Sequence, residues 1–168
     1  GNLTGTASAD TFTLTGAQLD AIITGSGTIT FSGGTDTLNL TSTSSDLNTL
    51  GAGNNGWITG LENISAAGAG AGVTITLSAQ AEAFTLTGSS SADAITGGSA
   101  ADTIYGGGGD DTLTGGSGAD TLYGQDGEDS LYGGAGADTF VLEAATAFND
   151  IDQIEDFTTG GGGDILDL

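Results

Sequence analysis

The sequence contains no lysine, arginine, histidine or cysteine, and each absence removes a class of chemistry. With no basic side chain, none of its 22 acidic residues can form an ion pair with another side chain, and the formal charge is -22. A single-sign field of this size opposes compaction, and buried carboxylates must pair with something or coordinate a metal. A cation from outside is therefore needed. An anionic chain repels phosphate backbones, which argues against a nucleic-acid partner. Without cysteine there are no disulfides or thiolate metal sites, and without histidine the commonest zinc ligand is missing. Only oxygen donors remain, and these favour calcium or magnesium.

Serine is plentiful, but no base is present to activate it. A polysaccharide lyase would want a basic side chain to take the proton. Paired carboxylates could hydrolyse a glycoside, yet the obvious pairs are those assigned to a metal below. The expectation is a chain with no enzymatic activity of its own. No segment approaches the roughly 18 apolar residues of a membrane span, and no charged-then-apolar leader opens the chain. With no initial Met and an abrupt stop at Asp167-Leu168, it reads as a fragment.

What is present is repetition. From Gly88 to Val141 the chain divides into six units of nine residues, GSSSADAIT, GGSAADTIY, GGGGDDTLT, GGSGADTLY, GQDGEDSLY and GGAGADTFV. The sixth position is Asp93, Asp102, Asp111, Asp120, Asp129 and Asp138; the eighth is Ile95, Ile104, Leu113, Leu122, Leu131 and Phe140. Glycines cluster where a tight turn needs positive φ or close backbone approach. The last three residues favour β structure and place one apolar side chain inward. Each unit thus reads as a six-residue turn followed by a three-residue strand. So short a strand has no core until units stack, which predicts a parallel solenoid.

With each unit half a coil, alternate units share an edge. The carboxylate pairs are then Asp93 with Asp111, Asp111 with Asp129, Asp102 with Asp120, and Asp120 with Asp138. Carbonyls of the glycine-rich turns would complete an all-oxygen shell suited to calcium. Up to about four Ca2+ ions fit this scheme, offsetting eight of the 22 negative charges. The competing reading makes these aspartates turn formers only, but turn chemistry does not demand Asp at the sixth place every time. For the acids as a whole, a solubilising surface or a disordered tail is the alternative. A hydrophobic content of 36% and well-spaced acids argue for folding. Tyr105, Tyr123 and Tyr132 read as an outward ladder, with a sugar-stacking platform as the alternative; Trp57 reads as a packing residue.

Residues 1–87 read as an irregular β-solenoid with degenerate repeats, residues 88–141 as the calcium-binding roll, and residues 142–168 as a truncated carboxy-terminal cap. GTASADTFT (from Gly5) and GGTDTLNL (from Gly33) are related to the regular units. TITF (from Thr28) and VTITL (from Val73) read as strands, and GAGNNG (from Gly51) as a turn. Only Gly16–Ile23 and Ser44–Leu50 are candidates for a helical turn. In the cap, Phe148, Ile151, Ile154 and Phe157 are spaced to close the open end of a stack.

The nonapeptides resemble the GGxGxDxUx motif of the repeats-in-toxin family, fully in GGGGDDTLT, GGSGADTLY and GGAGADTFV. The specific resemblance covers residues 88–168. It implies an all-β, right-handed parallel β-roll with a carboxy-terminal cap, calcium between turns, and type I export with folding after exit. It also implies carbonyl ligands at the first, third and fifth turn positions, here Gly106, Gly108, Asp110, Gly115, Ser117 and Ala119, with Asp152 and Asp164 as further ligands in the cap. The expected setting is the extracellular face of a Gram-negative bacterium. The Thr-rich first half is similar to surface-layer proteins and adhesins bearing such repeats. Two functions compete: a structural module of a surface layer or filament, and the secretion and folding-assist tail of an extracellular hydrolase or toxin. Self-assembly and cell-surface polysaccharide are the partners considered besides calcium.

Overall fold

Threonine alternating with leucine, isoleucine or phenylalanine recurs along the chain, and these segments are extended. The computed structural model describes residues 2–25, 27–44, 58–142, 151–159 and 163–168. Its strands are β1 Leu3–Thr4, β2 Thr11–Leu14, β3 Ile29–Thr30, β4 Thr37–Leu40, β5 Ile58–Thr59, β6 Asn63–Ser65, β7 Thr74–Thr76 and β8 Thr85–Thr87. They continue as β9 Ala94–Thr96, β10 Thr103–Gly108, β11 Thr112–Ser117, β12 Thr121–Asp126, β13 Ser130–Ala135, β14 Thr139–Val141, β15 Gln153–Ile154 and β16 Ile165–Asp167. Among the described residues one helix, α1 Gly16–Thr24, interrupts them.

Among the described residues every strand pairing is parallel. One eight-stranded sheet runs in the order β16-β14-β12-β10-β8-β6-β4-β2, and a five-stranded sheet in the order β15-β13-β11-β9-β7. A smaller sheet, β1-β3-β5, stands beside the first coils. The chain alternates between walls, as the nine-residue spacing requires: units one, three and five supply β9, β11 and β13, and units two, four and six supply β10, β12 and β14. Pairing is in register, Ile104 with Leu122 and Leu113 with Leu131. The expected parallel, almost entirely β solenoid is what the chain forms.

The core is the line of inward apolar residues between the walls. Leu38, Ile64, Leu86, Ile104, Leu122 and Phe140 line one side and Ile75, Ile95, Leu113 and Leu131 the other, all buried. Burial of each such side chain contributes about 1.5–3 kcal/mol, and no single coil can bury its own. The helix adds Leu19 and Ile23 to this core. Thr15 caps it, with its hydroxyl accepting from the Gln18 N–H while Gln18 returns a bond to the Thr15 N–H.

Several details differ from the sequence reading. Strands β10 to β13 are six residues long, not three. The ladder continues through the next unit's first three positions, because stacked coils in register pair their turns as well: Gly108 pairs with Asp126, and Ser117 with Ala135. Gly16–Ile23 is helical as expected; Ser44–Leu50, GAGNNG, Trp57 and Phe148 fall almost wholly outside the described residues. Of the proposed capping residues, Ile154 packs against the core and Phe157 tilts onto Phe140 with ring centroids 6.0 Å apart. Ile151 does not, being 68% exposed. The tyrosines do not form one ladder: Tyr105 stacks on Tyr123 at 4.5 Å, whereas Tyr132 lies on the other wall opposite Thr114.

Candidate metal centres

The sixth-position aspartate stands immediately before each strand, where the turn ends. Inward side chains of the strands are apolar, so a carboxylate just upstream enters the edge of the core. Asp93, Asp102, Asp111, Asp120, Asp129 and Asp138 are all buried, none more than 5% exposed. Along each edge they form a column with a fixed bonding rule. The N–H of one aspartate donates to Oδ1 of the aspartate 18 residues on: Asp93 to Asp111 at 2.8 Å, Asp111 to Asp129 at 2.8 Å, Asp102 to Asp120 at 2.8 Å and Asp120 to Asp138 at 2.9 Å. The four pairs named from the spacing are the four pairs brought together.

The second oxygen divides the aspartates of each column into two kinds. Oδ2 of Asp111, Asp120, Asp129 and Asp138 is buried with no hydrogen-bond partner. Asp93 and Asp102 differ. The Ser89 N–H donates to Asp93 Oδ2 at 2.5 Å, while Val73 N–H and Ser89 Oγ serve its Oδ1 at 2.6 and 3.1 Å. Asp102 receives the Gly98 N–H on Oδ2 at 2.7 Å and the Phe84 N–H on Oδ1 at 2.8 Å.

The first glycine of each unit makes room for Oδ2. A methyl group built on Gly115 would overlap Asp120 Oδ2 and lie 2.6 Å from the Gly133 carbonyl oxygen. On Gly106 it would overlap Asp111 Oδ2 and lie 2.6 Å from the Gly124 carbonyl oxygen. The unpartnered oxygens of Asp111 and Asp120 thus face a backbone carbonyl of the next coil across space that only glycine leaves open, and Gly124 and Gly133 leave the same room beside Asp129 and Asp138 Oδ2. The Gly106 and Gly115 carbonyls themselves approach the Asp93 and Asp102 carboxylates in the same way, against Gly88 and Gly97.

Burial without a cation makes these carboxylates hard to ionise. Desolvation raises Asp111 to about 7 and Asp120 and Asp129 to about 6, with neighbouring carboxylates adding to the rise. Asp102 and Asp138 are raised from the same cause.

The remaining expected ligands sit as follows. Gly108 and Ser117 donate their N–H groups to Ser89 and Gly98 carbonyls at 3.1 and 3.0 Å. Asp110 is exposed and accepts the Glu128 N–H at 3.1 Å; Ala119 is exposed beside Gly136. In the cap, Asp152 accepts the Asp129 N–H at 3.2 Å and Asp164 the Asp138 N–H at 2.9 Å, so each continues a column. Burial acts to raise Asp164, but N–H donors from Asp138 and Thr158 outweigh it and leave its carboxyl below the usual range. Asp156, not foreseen from the sequence, accepts the Gly133 and Gly134 N–H groups at 2.9 and 2.8 Å. Only its place between Asp152 and Asp164 hinted at this.

Among the described residues no three side chains of His, Cys, Asp or Glu converge so as to hold a metal by themselves. A site here takes carboxylate oxygens together with backbone carbonyls, a donor set that fits a hard divalent cation and suits calcium's six to eight oxygens. Residues 85–113 and 105–140 match the family model of the RTX calcium-binding nonapeptide repeat, in four copies. No curated protein matches the chain.

Proposed function

We propose, from the match of residues 85–113 and 105–140 to the RTX calcium-binding nonapeptide repeat, that the chain is a calcium-gated structural module of an exported, surface-located protein. The observation that carries this reading is the set of unpartnered buried oxygens on Asp111, Asp120, Asp129 and Asp138 in a chain with no cationic side chain. Leaving such an oxygen without a donor or cation destabilises the fold by several kcal/mol in an apolar setting.

Asp111 and Asp129 would hold calcium on one edge and Asp120 and Asp138 on the other, helped by turn carbonyls such as those of Gly124 and Gly133. Bound calcium supplies positive charge that lets these carboxylates stay ionised inside the roll. The protein's own contribution is to orient each carboxylate through Oδ1, keep Oδ2 free, and exclude water with the adjoining Leu and Ile side chains. Asp93 and Asp102, whose oxygens already meet N–H donors, hold backbone. Where calcium is scarce, the repelling acids keep the chain unfolded and export-competent. At extracellular calcium, each site adds about RT ln(1 + [L]/Kd) to stability, enough with submillimolar to millimolar sites acting together. A Thr- and Gly-rich solenoid on both sides of residue 88, joined through β6, β8 and β10, supports a continuous rod suited to a surface layer or filament.

Far-UV circular dichroism of the chelated chain, titrated with calcium and with magnesium as control, tests the gate. A cooperative, calcium-specific coil-to-β transition is expected. A β signal unchanged by chelator would overturn the gating.

A further inference from the structure

Among the described residues, five carboxylate oxygens are buried without a partner, Oδ2 of Asp36, Asp111, Asp120, Asp129 and Asp138. Four lie in the nonapeptide array. The fifth, on the fully buried Asp36, lies well outside the matched residues.

Asp36 stands immediately before β4, as Asp102 stands before β10, and both strands belong to the eight-stranded sheet. It also follows the array's bonding rule over a longer coil. The Asp10 N–H donates to Asp36 Oδ1 at 2.7 Å and the Asp36 N–H to Glu62 Oε2 at 2.8 Å, each across 26 residues. Asp10 directly precedes β2, and Glu62 directly precedes β6. The turn leading to Asp36 has Gly33 and Gly34 at φ +133 and +106, and Gly34 packs on the Ser8–Ala9 backbone as Gly109 packs on Ser91–Ala92. The column then breaks: at the next coil the residue before β8 is Phe84, whose N–H is taken by Asp102. The edge therefore carries two separate acidic blocks.

Within the first block the three carboxylates have different duties. Asp10 has its Oδ2 met by the Thr6 N–H at 2.5 Å and hydroxyl at 3.1 Å. Glu62 is only partly buried. Asp36 is the member whose outer oxygen is closed off from water and from every donor, and the chain has no basic side chain to reach it. We propose that Asp36, flanked by Asp10 and Glu62, holds a calcium-class divalent cation at a site separate from the nonapeptide array. Hard oxygen donors select this class of ion.

The test is the number of calcium ions bound by the full chain at saturation, read by native mass spectrometry, with folding followed by circular dichroism. Asp36→Asn is expected to bind one ion fewer while remaining folded, and Glu62→Gln, which keeps an acceptor for the Asp36 N–H, to weaken one ion several-fold. An unchanged count in Asp36→Asn, alongside loss of an ion in Asp120→Asn, refutes this site and leaves the array intact. A wild-type chain that binds no calcium sinks both. If Asp36→Asn does not fold, Glu62→Gln decides: calcium binding identical to wild type makes Asp36 a structural residue and removes the site.

Discussion

At the residue scale, the two oxygens of one carboxylate do different work. Oδ1 orders the preceding coil and Oδ2 is kept for a cation, so substitutions should separate the functions. Asp120→Asn retains an oxygen for the Asp102 N–H but loses the charge; it should lower the bound calcium by one ion, counted by equilibrium dialysis. Asp93→Asn should leave the count unchanged, yet destabilise the fold by about 1–3 kcal/mol in calcium-saturated denaturant titrations, since an amide NH2 would confront donors. Proton linkage gives a second prediction. Asp111, Asp120 and Asp129 are raised from 3.8 to about 7, 6 and 6. Their protonated forms favour the metal-free fold, so that contribution is complete below about pH 4 and lost as pH rises through 6 to 7. In chelator, β content should therefore be greater at pH 4 than at pH 7.5, and the increment added by calcium should grow over the same interval. A metal-free fold that strengthens toward pH 7.5 would contradict this.

At the scale of turns and strands, the glycines that make room for Oδ2 should be irreplaceable, while others are not. Gly115→Ala forces a methyl onto Asp120 Oδ2 and the Gly133 carbonyl. At about 1–3 kcal/mol for overpacking, the calcium-loaded melting temperature should fall by roughly 5 °C. Gly68→Ala, with nothing within 4 Å, should barely move it. Gln125 holds φ 73, the only non-glycine at positive φ among the described residues. Gln125→Gly should relieve strain of about 1 kcal/mol and raise the melting temperature by a few degrees. Much of this was legible beforehand: the period assigned units to alternate walls, Leu113 and Leu122 to the core, and the acid pairs to shared edges. The extension of β10 to β13 into the turns was not, because pairing between coils overrides the turn character of a Gly-Gly sequence. Nor was the distinction between Asp102 and Asp120, which hangs on whether an N–H reaches Oδ2. The Asp10, Asp36 and Glu62 block was hidden by its longer coils, and by Glu standing where Asp was sought.

At the scale of the whole molecule, 22 like charges and a narrow core, fed by one inward apolar side chain from each nine-residue unit, set the terms. Monovalent salt screens repulsion between exposed acids, with a Debye length of about 3 Å at 1 M, but cannot enter as a ligand. Molar sodium chloride in chelator should thus fail to restore the β signal that millimolar calcium gives; full recovery in salt alone would mean that repulsion, not site occupancy, governs folding. The columns also give the molecule a polarity. In every link the donor belongs to the earlier coil and the acceptor to the later one, from Asp10 and Asp36 to Asp138 and Asp164. An exposed amino-terminal face strands no such N–H group, whereas an exposed carboxy-terminal face strands one on each edge. That makes the stack a one-way zip: closure can begin where Asp152 and Asp164 accept the last links and travel toward the amino terminus, each coil finished by its successor.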